Sequence, residues 1–309
     1  MIVAFAILLF RRWQYDKRKL AERKILASLT RSYLLRIAGQ QDAETSSQWS
    51  DELKLTAVNH LHLLLRGGER QQLMQLAELD GLLRATLKRS RSWRAAKRID
   101  AIRLLQQFGS EACIARLREL FTRDWKYEVR MEAAFALAAI HALPPPRETI
   151  RILGMFNRET NHLDAALLRA SASQYTEQFE ILLADPLSDN KRALLIDALG
   201  WSGDPSVIPL VAAAGKADNP ELRSAALRAA AKLGHPLKSD WVIPLLEDPV
   251  SFVRIQAANT CASLGLVGAV PFLEKALQDE DIWVRVRAEQ ALGELDHTSL
   301  QHPSMRISA

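Results

Sequence analysis

The 309-residue sequence predicts an all-α fold: an α-solenoid of stacked antiparallel helix pairs, preceded by an N-terminal membrane or juxtamembrane helix. Three observations carry the solenoid. Arg192, Arg223, Arg254 and Arg285 recur 31 residues apart; a step back of 31 gives Asn161 and then Arg130, and a step of 32 gives Arg98. After each anchor, small apolar residues return three, seven and ten positions on, which traces one helical face, and its alanines let a neighbouring helix approach closely. Glycine and proline then punctuate. Gly203, Gly234 and Gly265 fall eleven residues after their anchors, where a left-handed residue ends a helix, and Pro209 and Pro271 fall seventeen after, suited to the first turn of a second helix.

In chain order, residues 1–10 form an apolar segment, uninterrupted from Ile2 to Phe10, that reads as a membrane anchor or part of a longer span. The flank that follows is basic (Arg11, Arg12, Lys17, Arg18, Lys19), with Trp13 and Tyr15 at interfacial depth, an order opposite to that of a cleavable secretory signal. Nine residues at about 1.5 Å each reach only about half of the ~30 Å hydrocarbon core, so a longer native span, shallow insertion and a helix buried in protein all stay open. The compound signal favours attachment to an inner or plasma membrane, with the body on the cytoplasmic side and anionic lipid against the basic flank. Residues 11–38 then read as a basic juxtamembrane helix, in which Leu20, Ile25, Leu26, Leu29, Tyr33 and Ile37 mostly share a face and Gly39 closes the C-terminus. Residues 39–47 read as a polar linker, and 48–92 as N-terminal capping helices, Trp49–Leu65 and Glu69–Leu87, broken at Gly67-Gly68. The repeat array spans 93–296, and 297–309 has no apolar period and reads as a frayed tail.

An acid precedes most anchors by three to six residues: Asp124, Asp189, Asp218, Asp248 and Asp279. Such a group caps the next helix and pairs with the arginine of its own or an adjacent unit. The stretch Asp248-Pro249…Val253-Arg254…Ala257-Ala258…Leu264-Gly265…Ala269-Val270-Pro271…Leu273 resembles the short HEAT repeat, also called the phycobilisome-lyase-like repeat. The pattern weakens at Asn161, where Asp164 takes an alanine position, and after Gly234, where Pro244 lies inside the second helix. The resemblance implies a protein-interaction scaffold with an extended binding surface, whose second helices include Glu274, Lys275 and Gln278. The alternative is an enzyme on the same scaffold, as HEAT-like repeats occur in bilin lyases and in a class of DNA glycosylases. A soluble adaptor with a buried N-terminus is a further alternative.

Chemistry-bearing motifs are scarce. The regular period of the arginines argues for a structural role, since a catalytic residue is needed once. The seven histidines show no paired metal-ligand spacing, and Gly200-Trp201-Ser202-Gly203 is a helix end rather than a nucleophile or phosphate turn. Cys113 and Cys261 are too far apart to suggest a disulfide framework or zinc site and read as small buried residues. No catalytic residue, cofactor or metal is expected. Arg84, Lys88, Arg89, Arg91, Arg94 and Lys97, with Arg98 and Trp93, form an acid-free cluster; it reads either as a site for phosphate, of nucleic acid or lipid, or as a solvated edge. Trp201, Trp241 and Trp283 sit near turns, where exposed rings would mark a protein-binding edge.

The net charge of +5 divides unevenly: residues 1–98 carry 19 basic and 9 acidic residues, and the remainder 22 and 27. A DNA-binding groove along the array would be basic throughout, so nucleic acid is not an expected partner. The expected reading is a non-enzymatic, membrane-anchored cytoplasmic scaffold that holds a protein, in particular an integral membrane protein or membrane complex. By analogy, the setting would be a bacterial envelope assembly such as polysaccharide synthesis or export.

Overall fold

The computed structural model describes residues 2–40, 49–235 and 239–301, all helix and turn. They fall into two compact units, residues 1–140 and 141–309. This boundary lies inside the stretch expected to form one array, 93–296. The charge follows it: the first unit has 25 Lys and Arg against 15 Asp and Glu, the second 16 against 21.

The first unit contains α1 (Ile2–Ile37), α2 (Asp51–Leu64), α3 (Gly67–Leu79), α4 (Leu82–Arg89), α5 (Ala95–Phe108), α6 (Glu111–Arg123) and α7 (Tyr127–Ala139). The apolar and basic N-terminal stretches, expected as separate elements, are one 36-residue helix. No helix among the described residues is long and apolar enough to cross a membrane, so the expected spanning segment is not seen. The C-terminal third of α1 also departs from the juxtamembrane reading. Leu29 and Tyr33 are each 1% exposed and pack with Val58, Leu61, Leu73, Ala77 and Leu82 of α2, α3 and α4. Burying such side chains stabilises by roughly 1.5–3 kcal/mol each, and the end is locked by polar bonds. Asp80 accepts from Tyr33 Oη at 2.8 Å and takes a fork from Arg36 at 2.8 and 3.0 Å. Leu20, assigned to the same face, is 57% exposed because it precedes this contact.

The expected helix Glu69–Leu87 is interrupted at Gly81, whose φ of +76° a side chain would strain, so the chain turns there between α3 and α4. His62, at the end of α2, is buried, and neither ring nitrogen has a hydrogen-bond partner. Burial, reinforced by the Arg70 charge, holds its pKa below the ordinary 6.5. The folded state therefore keeps His62 neutral, while the unfolded chain takes up a proton as pH falls below about 6.5. Stability from this group is full above that value and declines as pH falls toward the lowered folded pKa. In His62→Leu, the urea midpoint of the first unit should lose this component of its decline between about pH 7 and pH 5.

The second unit contains α8 (Pro146–Leu153), α9 (His162–Ser171), α10 (Thr176–Leu183), α11 (Asp189–Leu199), α12 (Ile208–Ala214), α13 (Pro220–Leu233), α14 (Ser251–Ser263), α15 (Val270–Ala276) and α16 (Ile282–Gln301). First helices α9, α11, α13, α14 and α16 stack in sequence, with the shorter second helices beside them. The two irregular repeats are distorted as expected. At Pro244 the second helix is a single 3-10 segment, Ile243–Glu247. At Asn161 the lost arginine is replaced by a capping box with Asp164, whose carboxylate also takes the Arg158 fork at 2.7 Å. Helix α16 runs through Gln301, so the beginning of the expected tail is helical, while 302–309 lie outside the described residues, as do 41–48 of the expected linker.

Candidate interaction surfaces

The anchor arginines form a ladder that fixes each unit internally. In the second unit, Arg223 forks Asp248 with Nε and Nη2 at 2.7 and 2.8 Å, while Nη1 donates to the carbonyls of Ala217 and Asp218 at 2.9 and 2.7 Å. Arg254 repeats this with Asp279 at 2.8 Å twice and with the carbonyls of Asp248 and Pro249. In the first unit, Arg98 forks Asp124 at 2.7 and 2.9 Å and holds the carbonyls of Ser92 and Trp93. Each of these aspartates also accepts an amide two residues on, at Lys126, Val250 or Asp281. The acid therefore pairs with the preceding repeat's arginine, and offers its own repeat's arginine only its backbone carbonyl. Burial pushes Asp279 up, but the Arg254 fork and the Asp281 amide outweigh it and hold the carboxylate below its usual range.

A second rung runs along the first helices. Asp197, 4% exposed, accepts from Arg169 at 2.6 Å and Arg228 at 2.8 Å, and Arg287 bonds Asn259. The ladder breaks at Arg192, whose Nε lacks a partner and which reaches only the Leu183 carbonyl at 3.4 Å, while Asp218 stays exposed. Arg130 likewise leaves its Nε without a partner and holds the Asp124 carbonyl, so the Arg–Asp fork is made at Arg98, Arg223 and Arg254 and not at every anchor.

A cleft of about 670 Å³ opens beside the 3-10 segment and α15 of the second unit. Leu246, Pro249, Phe272 and Ala276 line its apolar parts; Arg254 and Lys275 line it with Glu247, Asp279 and Glu280, while the lining Asp248 is buried and held by Arg223, so that Glu247 and Glu280 are its exposed acids. Lys275 pairs with Glu247 at 2.7 Å, Phe272 is 38% exposed, and Glu280 is almost fully exposed. Of the residues expected at a partner surface, Lys275 and Gln278 line this cleft, and Glu274 lies on the exposed side of α15. Trp201 is 46% exposed, beneath the Lys232 ammonium at 4.1 Å, so it remains available at the surface. Trp241 does not: its ring packs against the α12 end at Gly215 and against the core around Val242. Phe272, Glu247 and Glu280 were missed, because only the fold brings the 3-10 segment beside α15.

The basic cluster of the first unit is partly consumed. Arg89 pairs with Glu52 and Asp100 at 3.2 and 3.0 Å, and Lys97 with Glu52 at 2.8 Å. The Lys97 hydrogen bond, then the Arg89 charge, holds Glu52 below its ordinary pKa. Arg84, Lys88, Arg91 and Arg94 are exposed, and Arg94 stacks over Trp93 at 4.9 Å. On α1, Arg12 and Lys17 are exposed, and Lys17 lies 3.9 Å over Trp13; the side chains of Arg11, Arg18 and Lys19 lie outside the described residues. Among the described residues, no group of three His, Cys, Asp or Glu is placed to hold a metal ion. Cys113 and Cys261 are buried, and burial pushes the Cys261 thiol up to about 12.

The family model for HEAT repeats matches residues 176–249 and 210–293, both within the second unit. No curated protein sequence matches the chain. Among solved structures, human deoxyhypusine hydroxylase in complex with glycerol is similar at 14% identity, over 90% of this chain and 98% of that one, with a TM-score of 0.35. The karyopherin Kap121p bound to the SUMO protease Ulp1p is similar at 14% identity, over 88% and 41%, with a TM-score of 0.37. An engineered protein is similar at 18% identity, over 87% and 78%, with a TM-score of 0.34.

Proposed function

We propose that this chain, whose residues 176–293 carry HEAT repeats, is a non-enzymatic scaffold that binds a protein partner along the second-helix side of those repeats. The cleft beside α15 is the observation that carries the reading. Its volume is that of a binding cleft, its apolar parts are backed by the packed core, and its rim is acidic. An exposed aromatic beside carboxylates suits a partner segment with an apolar anchor and flanking basic residues. The engaged arginines around it serve the fold, which leaves surface recognition as its chemistry.

The finer part of the proposal is attachment to a membrane by the N-terminal end of α1, with the body on the cytoplasmic side and an integral membrane protein or complex as partner. Ile2 to Phe10 followed by Arg11, Arg12, Lys17, Arg18 and Lys19 supports it. A polybasic flank draws roughly 1 kcal/mol per residue from an anionic surface. The phycobilisome-lyase-like subtype remains part of the proposal, supported by the period and the Asp-Pro…Arg…Ala-Ala pattern.

The test is a photocrosslinker at Gln278 of the full chain in native membranes. A discrete adduct with an integral membrane protein, lost on Phe272→Asp or Lys275→Glu, is the expected result. An adduct insensitive to both substitutions would overturn the cleft, and adducts confined to soluble proteins would overturn the membrane partner.

A further inference from the structure

We propose that the turns carrying Trp93 and Trp125 in the first unit form a membrane-contact site that seats the phosphate of an anionic phospholipid headgroup between Arg91 and Arg123. This site stands on observations separate from α1 and from the cleft beside α15.

The two tryptophans occupy one repeat position, five residues before Arg98 and Arg130. Both are largely exposed: Trp93 is 77% exposed and Trp125 65%, on either side of Trp283 at 69%. One buried guanidinium holds their turns side by side. Arg98 donates to the Trp93 carbonyl at 3.0 Å, forks Asp124, and lies 3.9 Å beneath the Trp125 ring. The rings are thus mounted on a rigid base, and leaving two indoles in water on neighbouring turns sacrifices apolar burial that a partner would recover.

Beside them is a pocket of about 220 Å³ lined by Arg91, Arg98, Arg116, Arg123, Glu119, Asp124, Leu120 and Trp125. Its volume is roughly that of seven water molecules in the liquid, enough for a phosphate group. The charges cancel in pairs. Arg98 and Asp124 hold each other, and Arg116 bonds Glu119 at 2.6 Å and both the hydroxyl and carbonyl of Ser90 at 2.8 Å. The Arg116 hydrogen bond chiefly, with the fields of Arg91 and Arg123, keeps Glu119 below its usual pKa. Arg91 and Arg123 are left as two exposed charges without an ion pair among the described residues. Arg94, stacked on Trp93, is a third exposed charge on the same turn.

Paired indoles around a guanidinium-lined pocket match the boundary of a bilayer, where amphipathic rings sit at headgroup depth and basic side chains meet phosphate. A nucleic-acid track would carry basic charge along its length without need of paired exposed rings; exposed Arg84 and Lys88 of α4 continue the charge here, but the two exposed indoles belong to these turns.

The full chain is tested by flotation with phosphatidylcholine vesicles containing roughly a third phosphatidylglycerol, or none. A parent in which Arg11, Arg12, Lys17, Arg18 and Lys19 are changed to Gln removes the α1 contribution. In that parent, binding that depends on phosphatidylglycerol should persist and fall roughly thirtyfold in Arg91→Gln/Arg123→Gln. Quenching of tryptophan fluorescence by brominated lipid should fall in Trp93→Phe/Trp125→Phe. Both pairs are surface substitutions, and unchanged circular dichroism establishes that they fold. Loss of all vesicle binding in the α1-neutralised parent, or equal binding by the Arg91/Arg123 variant, would overturn the site. Competition by millimolar inorganic phosphate without membrane quenching would reassign it to a soluble phosphate, and salt-sensitive duplex DNA binding without vesicle binding would reassign it to nucleic acid. None of these outcomes bears on the Gln278 crosslink, so the two proposals fail separately.

Discussion

Arg223→Ala should destabilise the second unit by about 3–5 kcal/mol, the cost of removing one partner from a buried ion pair. Four hydrogen bonds disappear together, two to Asp248 and two to the carbonyls of the preceding turn. Asp248, 6% exposed, is then left charged with only the Val250 amide and whatever water can enter. For a unit of this size the loss corresponds to a fall of roughly 10 °C in the unfolding midpoint, measurable by calorimetry or circular dichroism. Arg223→Lys should recover less than half, because an ammonium cannot fork a carboxylate and reach two carbonyls at once. A midpoint within a degree or two of the parent would show that the ladder decorates the stack rather than fixing it.

Gly200→Ala should be a strongly damaging single-methyl addition. A Cβ at this position would lie 2.5 Å from the Ala229 Cα and 3.0 Å from its carbonyl oxygen. Those are backbone atoms of α13, so relief requires α11 and α13 to separate. Overpacking of this kind typically costs about 1–3 kcal/mol, and the backbone position places the expected loss at the upper end. The same change at Gly268 meets only the Ile243 Cδ1 at 3.7 Å, an ordinary contact, and should be near neutral. Denaturant midpoints of the two variants give the comparison directly. Equal losses would mean that the α11–α13 approach is not the constraint.

These two predictions differ in how visible they were in the sequence. The arginine at 223 announces itself through its period, and so does the aspartate, 25 residues later. Their partnership does not, because an acid six residues before Arg254 is equally placed in sequence to serve its own repeat. Only the stacking decides that the carboxylate reaches back to the preceding repeat while its carbonyl serves its own. Gly200 gave no such signal; it ends α11 like the other punctuating glycines, but with φ of −56° it needs closeness rather than a left-handed backbone.

The candidate surfaces show the same division. The basic cluster at 84–98 was legible as charge, yet a carboxylate at 52 and another at 100 consume Arg89 and Lys97, and the surviving Arg91 finds its counterpart in Arg123 from α6. The equal offset of Trp93 and Trp125 from their anchors was the signal that could have linked the two turns. At the other end of the chain, Lys275 and Gln278 were expected at a surface and line the cleft, while Trp241, expected with Trp201, fills the space above Gly215 instead.

By itself, the sequence determined what is periodic and local: the helix pairs, the left-handed glycines, the helix-starting prolines, the distorted repeats at Asn161 and Pro244, and the step in charge along the chain. These follow from short-range sterics and from the spacing of apolar residues, which the sequence states openly. Tertiary structure alone decided the division at 140, the docking of the end of α1 onto α2 and α3, the direction of each Arg–Asp fork, and which charges and rings remain exposed. Those outcomes depend on which side chains meet across 25 to 50 residues, and a buried carboxylate or an indole takes its role from those neighbours.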